Sequence, residues 1–198
     1  MAHLYLILLI SLASNLDNLG VGLAYGVRRI RIPLLPNLLI AGCGMLATYL
    51  TVWAGGMVAR FLPVHLANVI GAVMIIGVGL WVMKPKAPAS AKPVRTHSVL
   101  GLLDEPEQAD LDQSGVISLK ESIWLGVALS INNVTNGFSA GLWTLGPFPT
   151  ALGSGLFSYL TLWGGALIGS RYAAQWLGEK ASVVAGLLLI LIGVHQLF

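Results

Sequence analysis

About twenty consecutive apolar residues are enough for a helix to cross the roughly 30 Å hydrocarbon core of a bilayer. This chain presents such blocks near Leu4–Val27, Leu38–Ala59, Ala67–Met83, Leu119–Leu142, Thr150–Ser170 and Ala181–Phe198. In lipid a lone segment must satisfy all its backbone N–H and C=O groups internally, which leaves the helix as its form. The blocks therefore predict an all-α integral membrane protein with six transmembrane helices. Composition agrees: 56% of the 198 residues are hydrophobic and 10% charged, against about a quarter charged in soluble domains. The first block has no basic start and no small-x-small cleavage site, so it reads as a retained helix. The one cysteine, Cys43, excludes an internal disulfide, and a net charge of +3 confined to loops gives no case for nucleic-acid binding.

The basic residues fix an expected orientation. Arg28, Arg29 and Arg31 follow the first block. Lys84, Lys86, Lys92, Arg95 and Lys120 lie between the third and fourth, and Arg171 and Lys180 between the fifth and sixth. Of 11 Lys and Arg, only Arg60 falls on the other side. The positive-inside bias then places these loops in the cytoplasm and both termini outside a bacterial cytoplasmic membrane. Three spans per half make the second half enter from the opposite face.

The halves also match residue by residue. Thr48-Tyr49-Leu50-Thr51-Val52-Trp53-Ala54-Gly55 aligns with Ser158-Tyr159-Leu160-Thr161-Leu162-Trp163-Gly164-Gly165. Leu16-Asp17-Asn18-Leu19 aligns with Ile131-Asn132-Asn133-Val134, and the same register pairs Gly22 with Gly137 and Gly26 with Gly141. The predicted architecture is two inverted three-helix repeats, residues 1–83 and 119–198, joined by a linker over 84–118. Repeats of this kind are used by secondary transporters, whose ligand sites lie near the midplane where the repeats meet.

Among the eight acidic residues, Asp17 alone falls inside a span. A carboxylate there costs about 2.5–3.5 kcal/mol on insertion scales and faces the bundle interior with a partner. No Lys or Arg lies at its depth, whereas amide oxygens do: Asn18 beside it, and Asn132 and Asn133 in the matching helix. Carboxylate and amide oxygens are hard ligands suited to Mg²⁺, Ca²⁺ or Mn²⁺. For each asparagine alone, a hydrogen bond across helices is the more ordinary role. Asn18, Gly22 and Gly26 share one helix face, as do Asn133, Gly137 and Gly141. The expectation is that these small faces let the first and fourth helices cross closely and bring Asp17 to Asn132.

A second cluster sits in the linker. Asp110, Asp112 and Ser114 occupy positions 1, 3 and 5 of a twelve-residue EF-hand-like loop. Gly115 takes the turn, Val116 offers its carbonyl, Ser118 stands where a water is held, and Glu121 is the bidentate carboxylate at position 12. The expected occupant is Ca²⁺ or another divalent cation. A structural turn before an acidic helix start would look similar.

With these residues in place, the chain resembles the MntP-type manganese efflux pumps, and most closely their YtaF-like sporulation membrane branch. The resemblance rests on Leu16-Asp17-Asn18-x-Gly20-x-Gly22-x-x-Tyr25-Gly26 with the Arg-rich turn after it. It continues through Ala109-Asp110-x-Asp112-x-Ser114-Gly115-x-Ile117-Ser118-x-x-Glu121 and Leu125-Gly126-x-Ala128-Leu129-Ser130. It implies export of Mn²⁺ with an intramembrane aspartate in each half; Asp17 matches, and Asn132 stands where the second is usual.

The resulting expectation is a transporter exporting divalent cations by alternating access, with Mn²⁺ as substrate and no required cofactor. Asp17, Asn18, Asn132 and Asn133 would form its midplane site. The alternative is a non-transporting sporulation or envelope protein that senses a divalent cation through the loop. A small-solute exporter is a third reading, and no nucleophile–base pair argues for an enzyme. The expected partners are the lipid bilayer and the metal ion, with homo-oligomerisation left open.

Overall fold

The structure is a computed structural model that describes residues 2–82 and 109–171, together with residues 187, 190, 191 and 194. Five helices are traced: α1 (Ala2–Val27), α2 (Leu34–Ala59), α3 (Val64–Val82), α4 (Leu119–Leu142) and α5 (Pro147–Arg171). The four isolated positions near the C-terminus are also helical. Most of the linker, and the rest of the expected sixth span over Ala181–Phe198, lie outside the described residues. Among the described residues there is no strand, only an isolated parallel bridge between Arg31 and Val116.

The described residues are thus helical and the protein is integral to a membrane; among the described residues three helices are long and apolar enough to span by themselves. These are Leu4–Val27, Leu34–Ala59 and Pro147–Arg171, while α3 offers the shorter apolar stretch Val64–Val78. Helix α4 is long enough but carries Ser130, Asn132, Asn133, Thr135, Asn136 and Ser139, which lower its hydropathy. Leu46, Trp53, Trp163 and Leu160 point outward, the surface expected of helices that face lipid.

Prolines set two helix starts earlier than the apolar pattern predicts. Pro33 caps α2 from extended backbone, at φ −60° and ψ 161°, and Pro147 opens α5. Proline is tolerated there because the first helical N–H groups have no partner inside the helix. Ser118 caps α4 through a complete capping box with Glu121.

The packing differs from the expected crossing of the first and fourth helices. A methyl on Gly22 would overlap the Leu162 carbonyl oxygen and lie 3.0 Å from the Gly165 Cα; one on Gly26 would overlap the Ala166 carbonyl. The first glycine stripe therefore faces α5. The second faces α2: a methyl on Gly141 would overlap the Val52 carbonyl and lie 2.9 Å from the Gly55 Cα, and one on Gly137 would overlap the Thr51 hydroxyl. Backbones approach this closely only where both surfaces lack side-chain bulk. In both seams residue numbers rise together, Ser11 to Thr150 and Asn18 to Ser158 in one, Gly126 to Ile40 and Gly141 to Val52 in the other. So α1 runs parallel to α5, and α2 parallel to α4.

The two seams are not in the same register. A methyl on Gly165 would lie 3.1 Å from the Gly22 Cα, as one on Gly55 would lie 3.1 Å from the Gly141 Cα. Gly165 and Gly55 take matching places in the sequence alignment of the two halves, whereas Gly22 aligns with Gly137, not Gly141. One seam is offset from the other by four residues, a helical turn of about 6 Å.

Candidate metal site and the loop beneath it

Above its glycines, α1 presents small polar residues to α5. The Ser11 hydroxyl donates to the Thr150 carbonyl at 3.5 Å. Asn15 Nδ2 donates to the Ser11 carbonyl at 2.7 Å and to Ser154 Oγ at 3.2 Å. Asn18 Nδ2 donates to Asn15 Oδ1 at 3.3 Å and to Ser158 Oγ at 3.0 Å. Spacings of three and four residues on α1, and of four along Thr150, Ser154 and Ser158 on α5, create the match. Thr48 of α2 joins from the other side, donating to Ser154 Oγ at 3.0 Å.

Asp17 is partly buried on α1, with Oδ1 shielded from solvent. Asn18 is 2% exposed and Asn133 3%, and the Oδ1 atom of each has no hydrogen-bond partner. Asn136 is equally buried, with neither amide atom paired. Buried amide oxygens are nearly always satisfied by protein, water or an ion, so these unpaired atoms make the region a candidate site. Asn18 and Asn133 meet different partners: Asn18 turns to Ser158, while Asn133 lines a small cavity with Ser11, Ser14, Thr48, Thr150 and Ser154. The side chain of Asn132 lies outside the described residues. Sequence reasoning passed over Ser11, Ser14, Thr150 and Ser154; their helical spacing was the available signal.

The paired threonines of the repeat, Thr51 and Thr161, do not face this cavity chemically. Each bonds back to its own helix, Thr51 to the Ala47 and Thr48 carbonyls and Thr161 to the Phe157 and Ser158 carbonyls.

The EF-hand-like loop is already closed on itself. Asp110 accepts from the Ser114 and Gly115 N–H groups, both at 3.0 Å, and Asp112 from Ser114 N–H at 3.0 Å. The Ser114 hydroxyl, then its backbone N–H, hold the Asp112 carboxyl below its usual value. Gly115 supplies the turn at φ 73°, a conformation costly for residues with a Cβ. The Ser114 hydroxyl donates to the Val116 carbonyl at 3.0 Å. Glu121 accepts from Leu111 N–H at 2.7 Å, and from the N–H and hydroxyl of Ser118 at 2.8 and 2.7 Å. One carboxylate oxygen from each of Asp110, Asp112 and Glu121 lies within 4.8 Å of the others. Two oxygens bound to one Ca²⁺ at 2.3–2.6 Å lie at most about 5.2 Å apart. The donor set fits a divalent cation of that class, provided Glu121 turns from Leu111 and Ser118.

This loop is also tied to the other half. Arg31 N–H donates to the Gly115 carbonyl at 2.8 Å, and Ile117 N–H to the Arg31 carbonyl at 2.9 Å. Ile117 is fully buried in a cluster with Tyr25, Ile40, Leu125, Leu129 and Leu162. The loop thus rests on the turn between α1 and α2 as well as on the start of α4.

A chain of Bacillus subtilis described as "Probable sporulation protein YtaF" is 32% identical over 206 residues, covering 96% of this chain and 98% of its own length. The chain belongs to the MntP family, in its YtaF branch. The family model described as "Putative manganese efflux pump" matches residues 101–197, which include the loop and α4. A Bacillus mycoides protein described as "Putative manganese efflux pump MntP" is 26% identical over 197 residues, covering 97% of this chain and 94% of its own. One of the same description from Geobacillus thermodenitrificans is 32% identical over 76 residues, 38% of this chain and 41% of its own. No solved structure matches. The family model covers the second half of the chain, while the likeness to the YtaF protein runs over nearly all of it.

Proposed function

We propose that this chain exports divalent cations across the bacterial cytoplasmic membrane, with Mn²⁺ as the substrate named for its MntP relatives. The observation that carries the reading is the pair of buried, unpartnered amide oxygens of Asn18 and Asn133 on the helices that hold Asp17 and Asn132. In Asn18 the amide N–H₂ is committed to Asn15 and Ser158, which leaves its oxygen for a cation. Asp17 is the charged ligand, with Asn18, Asn132 and Asn133 as neutral ones. One carboxylate rather than two makes a weaker site, suited to an ion that must leave.

Two features support alternating access between inverted halves. Since α1 is parallel to α5 and α2 to α4, while α1 and α2 are joined by a short turn, each helix opposes its own repeat counterpart in direction. The one-turn difference between the seams is the asymmetry such a transporter needs: exchanging the two registers would open the site to the other side. In this reading the basic loops and the EF-hand-like loop lie in the cytoplasm.

A second reading is favoured by the convergence of Asp110, Asp112 and Glu121: a loop that senses a Ca²⁺-class ion, with or without transport. Uptake of Mn²⁺, Ca²⁺, Mg²⁺ and Zn²⁺ into inside-out vesicles separates the two. Export predicts that Asp17→Asn inserts normally and loses flux, and that Glu121→Ala changes its dependence on cytoplasmic-side Ca²⁺. Equal flux from wild type and Asp17→Asn for every ion would sink the export reading; flux lost only in the loop variant would favour the sensor.

A further inference from the structure

The cavity beside the Asp17 site has a chemistry of its own. Four helices close it: α1 gives Ser11 and Ser14, α2 gives Thr48, α4 gives Asn133, and α5 gives Thr150 and Ser154. It leaves about 10 Å³ open to the centre of a water molecule, room for one water or one bare ion. Every one of these six side chains is at least nine-tenths buried. No carboxylate and no basic group lines it.

What distinguishes the cavity is the state of its hydroxyls. Ser11 has donated its hydrogen to the Thr150 carbonyl, Thr150 to the Gly146 carbonyl, and Thr48 to Ser154 Oγ. A hydroxyl that has donated keeps two lone pairs and offers only acceptance. Asn133 adds an amide oxygen without a partner, and Ser14 a hydroxyl oxygen without one. Two hydroxyl hydrogens remain to give, on Ser14 and on Ser154, whose Oγ already accepts from Asn15 and Thr48, so acceptors outnumber donors in the lining. An anion meets more lone pairs than hydrogens there. A single water has two hydrogens to give and leaves the remaining acceptors unmet, whereas a metal cation satisfies all of them at once.

Charge decides which cation. Removing an ion from water costs a Born energy that rises with the square of its charge, and neutral oxygens offer no countercharge. A divalent ion needs a carboxylate such as Asp17, while an ion of single charge is served by hydroxyl and amide oxygens. We propose that this cavity binds a bare monovalent metal cation of about Na⁺ size, and that this cation is exchanged for the divalent ion at Asp17. The second clause rests on the export reading; the first does not. Ser14 and Asp17 are three residues apart, on neighbouring positions of one helix face about 5–6 Å apart. At that distance two cations repel, so occupancy of one site disfavours the other. Mutual exclusion of this kind is what an exchanger requires.

The test is equilibrium binding of ²²Na⁺ to the full chain in nanodiscs, with Mn²⁺ as competitor. Wild type should bind saturably, and Thr48→Val and Ser14→Ala should each weaken binding at least tenfold. Thr48→Val keeps its shape, and Ser14→Ala removes an oxygen that has no partner; if the first fails to fold, the second carries the test. Asp17→Asn should retain ²²Na⁺ binding and lose its displacement by Mn²⁺. Absence of saturable ²²Na⁺ binding in wild type, or binding unchanged in both hydroxyl variants, would overturn the proposal and leave a water in the cavity. Sodium binding that persists in a wild type with no Mn²⁺ flux above protein-free vesicles would instead overturn the export reading and leave the sodium site standing.

Discussion

Glu121 is the residue on which the loop and the helix behind it both depend, and replacing it with glutamine isolates that dependence. Its two oxygens accept three hydrogen bonds, one from Leu111 N–H and two from Ser118. Glutamine keeps the shape, but one of its head atoms becomes an N–H₂ donor, and all three neighbours are donors. The least damaging orientation keeps the oxygen on Ser118 and turns the nitrogen toward Leu111. A hydrogen bond to a charged group contributes about 1.5–3 kcal/mol. Leu111 is exposed, at 58%, so water recovers part of that and the lower end applies. A loss of about 1.5 kcal/mol corresponds to roughly tenfold faster exchange. Amide hydrogen exchange of Glu121→Gln should therefore show the Leu111 amide about tenfold less protected. The Ser118 amide should be weakened less, since its bond survives to a neutral acceptor. The Ile117 amide, bonded to Arg31, serves as the internal reference. An unchanged Leu111 rate would refute the assignment of Glu121 as the loop's lock, and with it the need for Glu121 to turn before a cation binds.

Two further outcomes follow from the same region. Asp112 has a depressed carboxyl pKa and shares the Ser114 amide with Asp110, so its part of that amide's protection factor is complete above its usual value of 3.8 and is lost as pH falls through the lower folded value; a Ser114 protection factor that starts to fall well above that pH would contradict it. Arg31→Pro removes the N–H that donates to Gly115 while Arg31→Ala keeps it, so only the proline variant should release the loop, read as proteolytic nicking near Gly115; equal nicking in both would assign the contact to the side chain.

The parts of the structure that the sequence makes legible are the local ones. Helix blocks are readable because bilayer thickness sets their length. The Ser118–Glu121 cap and the turn at Gly115 are readable because their partners lie a few residues apart. What was hidden is which helix meets which. The glycine stripes at Gly22 and Gly137 announce a close approach without naming the partner, and the expected crossing of the first and fourth helices chose wrongly. The polar ladder failed for the same reason: Ser11, Ser154 and Ser158 look like packing residues until α1 and α5 lie side by side. Proline shifted helix starts because a residue with no N–H fits best where none is needed.

The Asn18–Ser158 hydrogen bond joins residues 140 positions apart. At a synthesis rate of about 5–20 residues per second, α1 emerges about 7–28 s before its partner exists. Throughout that interval Asn15 and Asn18 keep the bonds made within α1, to the Ser11 carbonyl and to Asn15. The Ser154 and Ser158 hydroxyls that complete their bonding are not yet made. The polar face of α1 is therefore completed only when α5 arrives. That face, which serves the finished protein, makes the newborn one dependent on the order and pace of its own insertion.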